Sequence, residues 1–122
     1  MKRLTLVLIL LWPMAALGQI SYFTGNELME LCDGTASDEP KENMVALTAC
    51  LGVLLGISEA ISAIKIFTDE GHEQYSCMPN GVTSNQLRQV FLKYMHQHPE
   101  DWHATAGGLV MAAYRASWPC KE

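Results

Sequence analysis

Four cysteines, Cys32, Cys50, Cys77 and Cys120, constrain this chain of 122 residues more than any other feature. Their meaning depends on where the chain ends up, and its first residues speak to that. MKRLTLVLILLWPMAALGQ opens with the basic pair Lys2 and Arg3. An apolar run from Leu4 to Trp12 follows, interrupted only by Thr5, and then Pro13 and the small-residue pattern Ala16-Leu17-Gly18. This is the layout of a secretory signal, with cleavage expected after Gly18. The run is too short, and too broken by Pro13, to be read as a membrane anchor. Gln19, not a cysteine, follows the expected cut, so a lipoprotein signal does not fit. Residues 1–18 are therefore read as a signal peptide and 19–122 as one exported domain, periplasmic and free of the membrane once cut.

In an oxidising compartment an even number of cysteines reads as two disulfides. Four cysteines allow three pairings. Zinc is a poor alternative, because no two of them have the short spacing of a zinc site. A Cys–His nucleophile would need a free thiol, and each cysteine is assigned to a bridge.

Four helical segments can be read along the sequence. Thr24 followed by Glu27 is a capping box, and Leu28, Leu31 and Cys32 then share one face at helical spacing. Asp33 to Glu39 is a polar loop. Pro40 suits the first turn of a second helix, which runs through ENMVALTACLGVLLGISEAISAIKIF. Met44 to Ile57 carries no charge, and the segment is read as a buried central helix. Gly52, Gly56 and Ala60 recur every four residues. Such a smooth strip lets another backbone come close. The reading taken is packing within the chain, with a homodimer interface as the sharper alternative.

Asp69 to Asn80 is a loop ended by Gly81. Thr83 with Gln86 suggests a second capping box, opening a helix whose apolar stripe is Leu87, Val90, Phe91, Tyr94 and Met95. His98-Pro99 ends that helix and begins a fourth. On it Trp102, Ala106, Leu109, Val110 and Ala113 line one face, with Gly107 and Gly108 in the middle. No alternating strand pattern is long enough to indicate a strand. The expected fold is all-α, a small bundle of about four helices stapled by two disulfides.

Two bridges suit that arrangement. Cys32 and Cys50 would meet between neighbouring antiparallel helices. A 77–120 bridge would clasp the outer ends of the last two. On a chain-entropy account the two loops are worth on the order of 3 and 4 kcal/mol, which matters for so small a core.

Catalytic chemistry finds little support. His72, His96, His98 and His103 invite a metal reading, but His96 and His98 would point apart on a helix. Capping and solvated histidines explain the pattern more simply, so neither metal nor cofactor is expected. No phosphate loop, G-x-S-x-G or H-E-x-x-H occurs. Glu27, Glu30, Asp33 and Glu59 look like caps and solvated faces. Without Lys2 and Arg3, six basic residues face 13 acidic ones, a formal charge of −7. Such a surface repels nucleic acid and suits a neutral or basic partner.

Four segments carry a resemblance: YFTGNELMELC, CLGVLLGISEAI, CMPNGVTSNQLRQVFLKYMHQHPE and GLVMAAYRASWPC. Together they resemble the Rap/Tai immunity proteins of bacterial type VI secretion systems, over Tyr22 to Cys120. The specific parts are C-x-P-x-G-V-T-x-x-Q-L, the following H-P-E and the terminal P-C. The resemblance implies a periplasmic, helical, disulfide-bonded and often dimeric protein that is not an enzyme. It implies binding to a peptidoglycan amidase effector and occlusion of that effector's active site, with a protruding loop as one means. By position the four cysteines match the family's, and Gly81-Val82-Thr83 and His98-Pro99-Glu100 match its helix starts. These are read as fold residues. For the effector contact the candidate is the acidic loop with Asp69, Glu70, Glu73 and Tyr75, although a solvated loop has the same composition. From a different class, a periplasmic stress or chaperone-like protein would also use an acidic chain with an apolar central helix.

Overall fold

The computed structural model of the chain describes residues 23–67 and 75–121. The expected signal peptide, as well as Asp69, Glu70, His72 and Glu73, lies outside them. Within them are α1 (Gly25–Asp33), α2 (Pro40–Phe67), α3 (Ser84–Gln97), a 3-10 turn at Pro99–Asp101 and α4 (Ala106–Ser117). The only extended pairing among the described residues is an isolated antiparallel bridge between Thr24 and Thr105. The fold is all-α, as its periodicity indicates.

The starts of α1 and α3 follow from local chemistry. Thr24 accepts from the Glu27 backbone N–H, and the Glu27 carboxylate accepts from the Thr24 backbone N–H at 2.8 Å, a complete capping box. Two orphan donors are thereby satisfied. Gly34, at φ 76°, ends α1 in the left-handed region that glycine enters without penalty. At Thr83 only the forward half forms, with the Gln86 N–H donating to its hydroxyl at 3.2 Å.

Each helix contributes one side to a single core. Leu28 and Cys32 come from α1, Cys50 and Leu54 from α2, Phe91 and Met95 from α3, Val110 and Tyr114 from α4, all fully buried. Both disulfides expected from helix order are present: Cys32–Cys50 joins α1 to α2, and Cys77–Cys120 ties the approach to α3 to the tail after α4. The Tyr114 hydroxyl donates to the Leu54 carbonyl at 3.3 Å, a polar link from α4 to α2.

Two expectations fail, for identifiable reasons. The fourth helix does not start at Pro99. Pro99–Asp101 is one 3-10 turn, and α4 begins only after Thr105. The carbonyls of Ala104 and Trp102 instead accept from the first two N–H groups of α1, those of Gly25 and Asn26, at 2.9 Å each. The Ala106 N–H in turn donates to Phe23 at 2.7 Å. Two helix starts thus satisfy each other's unpaired groups, which a continuous helix from Pro99 could not do. Gly107 and Gly108 then fall in the first turn of α4 rather than its middle.

Nor is α2 a buried central helix. Ala46, Cys50 and Leu54 face the core, while Met44 is 70 % exposed, Val45 65 % and Leu55 44 %. Gly52, Gly56 and Ala60 are exposed too, so the smooth strip packs against nothing else among the described residues. The cause is length. Helices of 9, 14 and 12 residues cannot surround one of 28.

Candidate functional site

A shallow groove of about 420 Å³ runs between α3 and the end of α4. Gln86, Val90, Lys93, Tyr94 and Gln97 form its α3 wall; Ala116, Ser117 and Trp118 form the other. The α3 residues are spaced by three and four, so one helix face supplies them. That face lies beside the buried stripe of Leu87, Phe91 and Met95, which holds α3 to the core.

The Trp118 wall is fixed from two directions. Its N–H donates to the Tyr114 carbonyl at 2.8 Å, closing α4. Its carbonyl accepts from the Cys77 N–H at 2.9 Å and from the Ser76 hydroxyl at 3.3 Å. Ser76, the one buried polar residue among those described, also donates to the Tyr114 carbonyl at 3.2 Å. The Cys77–Cys120 bridge, with Cα atoms 4.9 Å apart, locks the same two strands of chain. The Trp118 ring stands 5.8 Å from that of Tyr114, tilted by 53°.

The α3 wall is fixed by stacking. The rings of Tyr94 and His98 lie 4.1 Å apart and nearly parallel, and His98 Nδ1 is 2.9 Å from the Tyr94 carbonyl. Burial, then the charges of Asp101, Tyr75 and Glu100, push the Tyr94 hydroxyl above the usual tyrosine range. It therefore stays protonated, an available donor at the groove, throughout the physiological range. Tyr75 also stands close by, exposed, with the Arg115 guanidinium 5.4 Å from its ring centre. Such a cation over an aromatic face holds the ring in place.

The structure thus places one of the four expected contact residues, Tyr75, beside an aromatic groove; Asp69, Glu70 and Glu73 lie outside the described residues. Tyr94 and Trp118, which the sequence reading assigned to the apolar stripe and to the chain end, line it instead. Lys93, Gln86 and Arg115 carry no motif. The faint signal for them was the aromatic pair Tyr94 and His98, one turn apart.

All four cysteines are oxidised. No three His, Cys, Asp or Glu side chains among the described residues come together as a metal site. The lining offers flat aromatic faces, amide and hydroxyl groups and the Lys93 ammonium, and the Arg115 guanidinium stands over the Tyr75 ring. Aromatic and arginine anchors of this kind dominate binding energy at protein interfaces.

Compared with protein families, residues 24–120 match the family model described as Rap1a immunity proteins. A search of curated proteins finds no match to the chain.

Proposed function

Since the chain belongs to the Rap1a immunity protein family, we propose that it is the periplasmic antidote to a type VI secretion effector that cleaves peptidoglycan as an amidase. It binds that effector and covers its active site, so a cell attacked by a sister does not lose its own wall. The family match, spanning the first helix cap to the last cysteine, is the observation that carries the reading. The signal-like residues 1–18 would deliver the domain 19–122 to the compartment where the effector acts and where both disulfides form. The inhibitor works by binding rather than by catalysis, as a homodimer.

The effector docks at the α3–α4 groove and at Tyr75, with Asp69, Glu70 and Glu73 as further contact residues. The exposed α2 face favours one other reading, a chaperone-like protein that binds unfolded clients.

The deciding experiment is inhibition. The oxidised protein, titrated into a wall amidase encoded beside it, is expected to stop hydrolysis of purified peptidoglycan at a fixed molar ratio. Weak association with many unfolded proteins, and none with an amidase, would sink the immunity reading in favour of the chaperone one.

A further inference from the structure

The two disulfides stand in opposite surroundings. Cys32 and Cys50 are each 0 % exposed and belong to the buried core. Cys77 is exposed and Cys120 half-buried. A disulfide is opened by a thiolate that reaches one of its sulfurs, so access decides which bridge a reductant can attack. The core pair offers no approach unless the helices part. The accessible bridge is also the one beside the groove. Trp118 lies two residues before Cys120, and Tyr75 two before Cys77. The Trp118 carbonyl accepts from the Cys77 N–H at 2.9 Å and from the Ser76 hydroxyl at 3.3 Å. The opposite wall does not rely on this bridge. Gln86, Val90, Lys93, Tyr94 and Gln97 sit on α3, which Leu87, Phe91 and Met95 hold to the core.

We infer that Cys77–Cys120 is a redox-sensitive clasp on the groove. Closed, it holds the Trp118 wall and Tyr75 in place for binding. Opened by a dithiol, it lets that wall loosen while the four-helix core and Cys32–Cys50 persist. The buried core cluster contains neither Cys77 nor Cys120, and Met78 and Trp118 only pack against it. Loosening is therefore confined to the approach to α3 and the tail after α4. The functional half of the inference, that opening weakens inhibition, rests on the reading of the groove as the effector contact.

The reductant is a protein dithiol of the Cys-x-x-Cys class, whose attacking thiol ionises readily. Its thiolate attacks the sulfur of exposed Cys77. The bond between the Cys77 and Cys120 sulfurs breaks, and Cys120 leaves as a thiolate that takes a proton from water. The second thiol of the dithiol then attacks the mixed disulfide and releases Cys77. The clasp has gained two electrons and two protons, and the dithiol has become a disulfide. The change is reversible. Phe91 and Met95 of α3 and Val110 and Ala113 of α4 share the core cluster, so the helices keep the two thiols close. The other two cysteines are buried in their own bridge, which leaves Cys77 and Cys120 only each other for re-oxidation.

The exported, oxidised protein is treated with dithiothreitol for increasing times, trapped with iodoacetamide and mapped by mass spectrometry. Label is expected on Cys77 and Cys120 well before Cys32 and Cys50. In the selectively reduced protein, amide exchange at Cys77 should quicken about tenfold or more, while that of Leu54 and Phe91 in the core stays unchanged. Affinity for the amidase should fall about tenfold or more and return on re-oxidation. The variant Cys77→Ser/Cys120→Ser should bind like the reduced wild type with or without reductant. Equal labelling of both bridges overturns the inference, as does unchanged exchange at Cys77 in the selectively reduced protein. An amidase held equally tightly in both states overturns the switch and leaves the immunity reading standing. An amidase that ignores even the oxidised form ends the immunity reading, and labelling and exchange then decide the clasp without it.

Discussion

Gly25 shows how much one absent side chain can decide. It is buried where α1 begins, and a Cβ there would overlap Leu109, stand 2.8 Å from Met95 Cε and lie 3.2 Å from the Trp102 carbonyl. Two of those neighbours could shift, but the carbonyl accepts from Asn26 and cannot leave without breaking the clasp between α1 and the start of α4. Gly25→Ala should therefore cost about 1–3 kcal/mol in urea unfolding, as overpacked cores do, whereas exposed Gly52→Ala should cost nothing. One turn later Glu27 acts through charge. Its hydrogen bonds from the Thr24 backbone and hydroxyl hold its carboxyl below the ordinary value of 4.5. A carboxyl lowered by folding contributes stability that is complete above its unfolded value and lost as the pH falls through the folded one. The melting temperature should accordingly decline below about pH 4.5, and Glu27→Gln should flatten that part of the profile; an unchanged slope would deny the cap any such role. Arg88 does comparable work at the other end of α1, donating from Nε to the Cys32 carbonyl at 2.6 Å, a last-turn acceptor with no partner in its own helix.

Among elements, the two disulfides differ in what they secure. Cys32–Cys50 is wholly buried and joins helices that already share a core. Cys77–Cys120 lies at the periphery and ties the approach to α3 to the tail after α4. It closes the longer span, 43 residues against 18, worth about 4 kcal/mol against about 3 on the chain-entropy account. Replacing Cys77 and Cys120 together by serine should leave a helical protein by circular dichroism, destabilised by about 2–4 kcal/mol. Amide exchange should rise at Ser76 and Trp118, and effector inhibition should weaken more than stability alone explains. If inhibition persists unchanged, the loop and groove need no clasp to bind. The 3-10 turn at Pro99–Asp101 is another element-scale lesson. Proline stops α3 and starts a turn, but whether that turn grows into a helix depends on competition for the Trp102 and Ala104 carbonyls.

For the whole molecule, the structure separates two surfaces by chemistry. The α3–α4 groove is aromatic and carries Lys93; the α2 face is apolar and nearly uncharged. If the first takes the effector, Tyr75→Ala with Lys93→Glu should raise the inhibition constant for the amidase at least tenfold, a loss of about 1.4 kcal/mol or more. The melting temperature should hardly move, because Tyr75 and Lys93 are exposed. A full inhibitory effect in this variant would place the contact elsewhere.

The all-α class, the capped starts of α1 and α3, the stop at His98-Pro99 and the use of every cysteine in a bridge were legible in the sequence. Each rests on interactions within a turn or two, or on the chemistry of a residue type, and such interactions are written in consecutive letters. The disulfide pairing was favoured by helix order, and the fold settled it by bringing Cys77 and Cys120 together across 43 residues. The start of α4 and the exposure of α2 were not legible. The first depends on the donors Gly25 and Asn26, which lie 79 and 76 residues from the Ala104 and Trp102 carbonyls they reach. The second depends on whether the other three helices have enough surface to cover the fourth, and apolarity alone cannot say whether a face meets its own core or is left outside it. The groove belongs to the same class. Tyr94 and Trp118 are ordinary apolar residues in the sequence; only the packing of α3 beside the tail of α4 turns them into opposing walls.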